Sequence, residues 1–212
     1  ELITALIADY AGYEEIRLRL STCGTGYGRD CAEADAVAQR LIEAFCDEVE
    51  SHRNLRGGCF TPGLWSFLQN VEIGRRTAAS PEGRHAGQPI SHSMDPVSGK
   101  AINGPTAVLN SAAGLCQHRL SNGGSLLLEF STNVLKDPQG CAAAQALCET
   151  YLQMGGIELQ LSCASVEQLL AAREHPEQYR DLVVRIAGYS DFFVRVSPEL
   201  QAYIIEREKH VM

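Results

Sequence analysis

The residues most open to unusual chemistry lie near the C-terminus, in Val183-Val184-Arg185-Ile186-Ala187-Gly188-Tyr189-Ser190-Asp191-Phe192-Phe193-Val194. Two apolar, strand-like runs flank a single glycine with no room for ordinary loop residues. A glycine at such a point means that the backbone itself matters there, for its shape or for its reactivity. Shape would make Gly188 the corner of a tight turn between two strands. Reactivity would use an α-carbon that carries two hydrogens and no Cβ. Loss of one hydrogen atom leaves an unpaired electron between an amide nitrogen and a carbonyl. Both neighbours delocalise it if the centre becomes planar, a geometry that a Cβ would crowd. These residues alone leave both readings open.

Other chemistries lack their residues. There is no Gly-x-x-x-x-Gly-Lys-Ser/Thr phosphate loop. The Gly24-x-Gly26-x-Gly28 run departs from the dinucleotide fingerprint and follows a helical segment, so it reads as a plain loop. No His-Glu-x-x-His occurs, and the six His never fall at metal-ligand spacing with Cys or carboxylates, so no metal site is expected. A Gly-x-Ser-x-Gly nucleophile elbow is also absent. The eight cysteines (Cys23, Cys31, Cys46, Cys59, Cys116, Cys141, Cys148 and Cys163) include no Cys-x-x-Cys pair. They read as reduced, buried thiols, which fits a cytoplasmic, anaerobic setting.

The elements that must position Gly188 follow from periodicity. Leu182–Ala187 and Phe192–Val196 read as strands on either side of it. Ser197-Pro198 opens a final helix with Leu200, Ile204 and Arg207 on one side. Upstream, Ser125–Phe130 is a buried strand, Gln139–Met154 a helix stopped by Gly155-Gly156, and Ile157–Cys163 a second strand. Ser165 caps the next helix with Gln168 as its partner, and that helix stops before His175-Pro176. Thr106–His118 is a short helix. Residues 1–20 read as a helical segment, and Asp30 with Glu33 as a capping box for a helix ending near His52, with Val37, Leu41, Phe45 and Val49 on one face. Residues 53–63 are a Gly-rich loop and Leu64–Ile73 an imperfect strand. Residues 74–104, with five Gly and three Pro, form a long irregular region, uncommon unless functional. The alternation specifies α/β architecture in a single structural unit.

Composition sets outer bounds. The chain has 212 residues, 45% of them hydrophobic and 21% charged, as in a globular domain with a core of its own. A net charge of -8 with dispersed Lys and Arg excludes a nucleic-acid or anionic-membrane surface. No apolar run is long enough to span a bilayer. The chain opens at Glu1 inside a helical pattern, which points to a truncated N-terminus.

Arg185, Gly188 and Tyr189, with Ile186 in place of Val, match the Arg-Val-x-Gly-Tyr signature of the glycyl radical enzymes, the family of pyruvate formate-lyase, the B12-independent diol and glycerol dehydratases and choline trimethylamine-lyase. Further blocks resemble the family in the same order. They are Phe45–Glu50 with Arg53-Asn54-x-Arg56-Gly57-Gly58, then Gly74–Arg84 with Ala86-Gly87, then Asn103–Ser111, then His175–Val184. The resemblance implies the C-terminal part of a β/α barrel, with the glycyl radical domain over about 90–212 and the Gly loop buried away from oxygen and water. It implies Gly188 as radical site, Arg185, Ala187, Tyr189 and Ser190 as its supporting loop, and no bound cofactor. A radical-SAM activating enzyme would remove the glycine hydrogen, and a cysteine on a second loop would pass the radical to a small-molecule substrate as a thiyl. A homodimer is the implied assembly.

The family's catalytic cysteine belongs to a Gly-Cys-x-Glu motif upstream of these blocks. Gly58-Cys59 is followed by Phe60-Thr61, and Gly140-Cys141 by Ala142-Ala143, so neither carries the Glu. All eight cysteines therefore read as non-catalytic, and the N-terminal portion with the Cys loop as missing. The resemblance implies the radical-bearing region of a lyase or dehydratase that breaks C–C, C–O, C–N or C–S bonds and is inactive alone. The alternative is a trans-acting spare part, which docks onto an oxygen-cleaved enzyme and restores its radical.

Overall fold

The computed structural model describes residues 1–22, 25–67, 69–130, 132–163, 165–186 and 188–208. Among them, α1 (Leu2–Ile7), α2 (Glu14–Thr22), α3 (Ala32–Ser51), α4 (Gln69–Arg75) and α5 (Pro105–Ala113) precede β1 (Leu127–Glu129). There follow α6 (Thr132–Lys136), α7 (Pro138–Gln153), β2 (Gln160–Ser162), α8 (Val166–Glu174), β3 (Val183–Arg185), β4 (Ser190–Phe192) and α9 (Pro198–Glu208).

Burial of the run from Ser125 to Phe130 organises the larger core. Leu126, Leu127, Leu128 and Phe130 are all buried. β1 pairs in parallel with β2, Leu127 opposite Gln160 and Glu129 opposite Ser162. Parallel pairing needs a crossover, and α6 and α7 supply it. Asp137 starts α7 by accepting a hydrogen bond from the Gly140 N–H at 3.0 Å, with Pro138 in the first turn. Ala144 and Tyr151 of α7, Val108, Leu109 and Ala112 of α5, and Cys46 of α3 close over this sheet. The buried Tyr151 hydroxyl and the Gln117 side-chain amide satisfy each other at 2.8 and 3.1 Å.

A second core holds the glycine hairpin. β3 and β4 pair antiparallel, Val183 opposite Phe192 and Arg185 opposite Ser190. Val184, Ile186 and Phe193 pack with Leu169 and Ala172 of α8 and Leu200, Ile204 and Ile205 of α9. Ser165 caps α8, its hydroxyl accepting from the Gln168 N–H at 3.0 Å.

The irregular stretch between α4 and α5 is held by buried cations that donate to main-chain carbonyls. Arg84 is 5% exposed and donates to the carbonyls of Ala78, His85 and Gln88 and to the Ser80 hydroxyl. Arg29 is 4% exposed and reaches the carbonyls of Lys100 and Ser21. An arginine fork satisfies several carbonyls at once, which lets a long loop pack without secondary structure of its own.

Several expectations are corrected. The first twenty residues are two helices, because Asp9, Tyr10 and Gly12 take positive φ and turn the chain between them. Asp30 does not cap α3. It has φ +56°, its carboxylate accepts from Asn110 Nδ2 at 2.8 Å, and Cys31 occupies the cap position without a side-chain bond. In place of the strand expected over 64–73, Leu64 makes an isolated bridge to Gly124 and the chain then coils into α4. The second flank of the glycine pairs earlier than expected, as Ser190–Phe192, and Phe193–Arg195 is a 3-10 turn. Among the described residues the strands form one parallel and one antiparallel pair and do not by themselves make a closed barrel. No helix among the described residues is long and apolar enough to cross a membrane.

The apolar face of α3 points outward, with Val37, Leu41 and Phe45 between 41% and 66% exposed. A stripe of that kind is a surface for association. Expressed alone, the 212-residue chain is expected to self-associate and to bind a hydrophobic dye. The double substitution Leu41→Glu with Phe45→Glu should reduce both in light scattering and dye fluorescence. A monodisperse monomer that ignores the dye contradicts this.

Burial also sets an alkaline limit. Tyr203 is pushed up to about 12, and Tyr10, Tyr27 and Tyr151 are shifted in the same direction, in each case chiefly by burial. A phenol whose folded value lies above its unfolded value of about 10 contributes stability that is intact below 10 and is lost as pH rises toward the folded value. Denaturation midpoints should therefore hold between pH 7 and 9 and fall from pH 10 to 12. A flat profile up to pH 12 rules this out.

Candidate functional site

The Ile186 N–H donates to the Tyr189 carbonyl at 2.9 Å, which puts Gly188 at the hairpin tip. Gly188 has φ +72°, in the left-handed region where a Cβ is unfavourable. Ala187 lies outside the described residues.

One side chain from the parallel sheet reaches the tip. Gln160, on β2, is 5% exposed, and its Oε1 accepts from the Gly188 N–H at 3.1 Å and from Arg185 Nε at 3.1 Å. Its Nε2 donates to Glu158 Oε1 at 2.7 Å. A second tie runs from α9. Arg207 Nη2 donates to the Arg185 carbonyl at 3.0 Å, while its Nε pairs with Glu129 on β1, both side chains being 10% exposed. Arg185 therefore anchors the hairpin through both its side chain and its carbonyl. Its Nη1 also lies 3.4 Å from the Ser190 hydroxyl, a long contact across the hairpin.

An added Cβ at Gly188 would lie 3.8 Å from Trp65 Cζ3 and 3.9 Å from Gln160 Nε2, both ordinary contacts. The demand for glycine here is therefore one of backbone conformation, since the space would admit a methyl group. Trp65 is oriented by its indole N–H, which donates to the Asn122 carbonyl at 2.8 Å, and it stacks on Phe67.

The structure brings Arg185, Gly188, Tyr189 and Ser190 together at one hairpin end, but it does not bury that end. Gly188, Tyr189 and Ser190 are exposed, although Val184, Ile186 and Phe193 just behind them are buried. The expected buried Gly loop is corrected to an exposed tip on a buried stem. The physical reason is sparse cover: among the described residues, Trp65 and Gln160 lie against the glycine and leave it exposed. No disulfide or metal-binding cluster occurs among the described residues. Cys163 is exposed and lines a shallow groove with Arg185 and Ser190.

Residues 90–194 match the family model described as glycine radical, and residues 1–74 match the one described as pyruvate formate lyase-like. The chain is 35% identical to the probable dehydratase YbiW of Escherichia coli, over 100% of this chain and 27% of that protein. It is 34% identical to the trans-4-hydroxy-L-proline dehydratase of Clostridioides difficile, over 97% of this chain and 26% of that protein. Its structure superposes on the B12-independent glycerol dehydratase from Clostridium butyricum with a TM-score of 0.92 and 36% identity, over 99% of this chain and 26% of that one. The chain belongs to the glycyl radical enzyme superfamily. It spans about a quarter of the length of the curated relatives it matches.

Within this glycyl radical enzyme region, sequence reading found the glycine and its hairpin but missed Gln160, Glu129 and Trp65. Gln160 had a signal: it is a polar residue between Leu159 and Leu161 in a strand-like run, and a buried polar side chain must have partners. Arg207 had one too, because it lies on the same side of α9 as Leu200 and Ile204. Nothing local marks Trp65 or Glu129, whose hydrogen-bonding partners are tens of residues away.

Because space exists but φ is positive, Gly188→Ala is expected to fold and to lose roughly 1–2 kcal/mol. That corresponds to a melting temperature lower by about 2–8 °C. Thermal denaturation followed by circular dichroism measures it, and an unchanged midpoint contradicts the assigned backbone conformation.

Proposed function

We propose that this chain is the radical-bearing C-terminal region of a glycyl radical lyase or dehydratase, with Gly188 as the residue that stores the unpaired electron. The observation that carries this reading is the tip itself. A left-handed glycine inside the glycine-radical match has its N–H fixed by a buried side chain, with Arg185 and Tyr189 of the signature beside it. Arg185, Tyr189 and Ser190 would shape the hairpin and take no part in bond-breaking. The radical-bearing domain would occupy about 90–212.

An activating enzyme of the radical-SAM class would take one hydrogen atom from the Gly188 α-carbon. The C–H bond breaks evenly, one electron leaves with the hydrogen, and the other stays on carbon. A cysteine elsewhere in the complete enzyme would then give a hydrogen atom to Gly188, and its thiyl would act on substrate. The exposed tip would be covered by that remaining portion, which would complete a barrel around it. The assembly would be a cytoplasmic homodimer.

Relatives are named as dehydratases of trans-4-hydroxy-L-proline and (2S)-3-sulfopropanediol and as a sulfite-lyase of isethionate. A small hydroxylated or sulfonated substrate, cleaved at C–O or C–S, is the corresponding reading here. The spare-part alternative is the weaker one, because similarity covers the pyruvate formate lyase-like residues 1–74 as well as the glycine-radical region.

The complete enzyme, treated anaerobically with its activating enzyme, is expected to give a doublet electron-spin signal. Admission of air should then sever the chain at Gly188, visible by mass spectrometry. Gly188→Ala should abolish both. A variant that keeps the doublet and the cleavage refutes the assignment.

A further inference from the structure

Resting on that reading, we propose that Gln160 is the positioning residue of the radical site: its side-chain oxygen fixes the Gly188 amide and thereby sets how the stored electron is delocalised and how long it survives. The orientation of the Gln160 amide is dictated by its surroundings. Two donors, the Gly188 N–H and Arg185 Nε, converge on one atom at 3.1 Å each, and an acceptor, Glu158 Oε1, faces the other at 2.7 Å. The reversed amide would set an NH2 group against two donors and an oxygen against a carboxylate. Only the oxygen-inward arrangement satisfies all the groups.

The consequence for the radical is electronic as well as geometric. The nitrogen of the Gly188 amide is the electron-donating neighbour of the α-carbon. An acceptor on its N–H shifts electron density onto that nitrogen, which strengthens its donation toward an electron-poor carbon. Gln160 is also buried, so this bond is made in a drier setting than the exposed tip as a whole. Arg185 supplies positive charge to the same oxygen and holds it in place. Gln160 thus acts through Gly188 and touches no substrate in this role.

The first measurement needs no variant. In the unactivated enzyme the Gly188 amide should exchange with solvent deuterium more slowly than an unbonded tip amide, by about threefold to tenfold, the factor a hydrogen bond of ordinary net strength supplies. An amide that exchanges as fast as a free peptide overturns the proposal, whatever the variants do. The second compares activated enzymes by electron-spin resonance. Gln160→Leu removes the acceptor at similar volume. It should alter the proton splitting of the doublet and shorten the life of each spin in traces of air by about threefold to tenfold. Simple loss of folded protein lowers signal height and leaves splitting unchanged.

The swap Gln160→Glu with Glu158→Gln reverses donor and acceptor in that pair while keeping an oxygen on Gly188. A charged oxygen is a stronger acceptor, so the swap should give a lifetime at least as long as the parent's. A Gln160→Leu enzyme with parent splitting and lifetime, or a normally folded swap whose lifetime is as short as that of Gln160→Leu, rules Gln160 out. If Gln160→Leu does not fold, the amide exchange and the swap decide between the same outcomes. Absence of any doublet at Gly188 in the unsubstituted enzyme defeats the functional reading instead, and the amide exchange still reports on Gln160 separately.

Discussion

The hairpin that carries Gly188 is tied to the rest of the chain by polar groups at its tip end and by apolar groups at its base. Gln160 and Arg207 form the polar ties, and both converge on Arg185. This constraint makes the site a defined geometry and not merely a loop. β3 and β4 form a two-stranded antiparallel pair, and such a pair is marginal in water unless something packs on it. α8 and α9 cover its apolar side. Beyond that cover the backbone would be free to fray. Gln160, projecting from a sheet whose register is set by the crossover through α6 and α7, transfers the rigidity of that sheet to the glycine.

The Arg207–Glu129 pair shows the same logic at higher stakes. Both side chains are nearly buried, and two charges in that setting are tolerated because they face each other and because Arg207 also satisfies the Arg185 carbonyl. Removing one partner of such a pair typically costs about 3–5 kcal/mol, since the other charge is left uncompensated. The ties thus link β1, β2, β3 and α9, so the position of Gly188 depends on residues from four elements far apart in sequence.

What was legible in the sequence follows from the range of the interactions concerned. Ser165 and Gln168, Pro198 at the start of α9, and Gly155 at the end of α7 are local signals, and the structure uses each of them. The strand from Ser125 to Phe130 was legible because every residue in it except Glu129 is buried. The turn at Gly188 was legible because the apolar flanks leave no room for a longer loop. Errors arose where a local pattern met a non-local demand. Asp30 looks like a cap, but its carboxylate is drawn to Asn110, eighty residues away, and Ser111 accepts from its N–H. Leu64–Ile73 has strand-like composition, yet Leu64 pairs with Gly124 for a single bridge. The stripe on α3 was legible as a stripe but its exposure was not, because periodicity shows that a helix has two faces without showing what lies against either.

On the proposed function, Gly188 would answer two demands that differ in kind. The resting tip has φ +72°, which closes the turn. A stored electron asks instead for an α-carbon flattened between its two peptide groups, with its orbital aligned to the amide nitrogen. Moving from the first to the second requires rotation about N–Cα. That rotation leaves the N–H where it is, so the hydrogen bond to Gln160 can persist while the carbon changes shape. Glycine alone among the residues crosses such regions without a Cβ penalty. An alanine here fits the space beside Trp65 and Gln160, but it is strained in the resting turn and crowded in the flat state. The absence of steric pressure at the site is therefore what makes the choice of glycine informative: if packing does not require it, backbone conformation does.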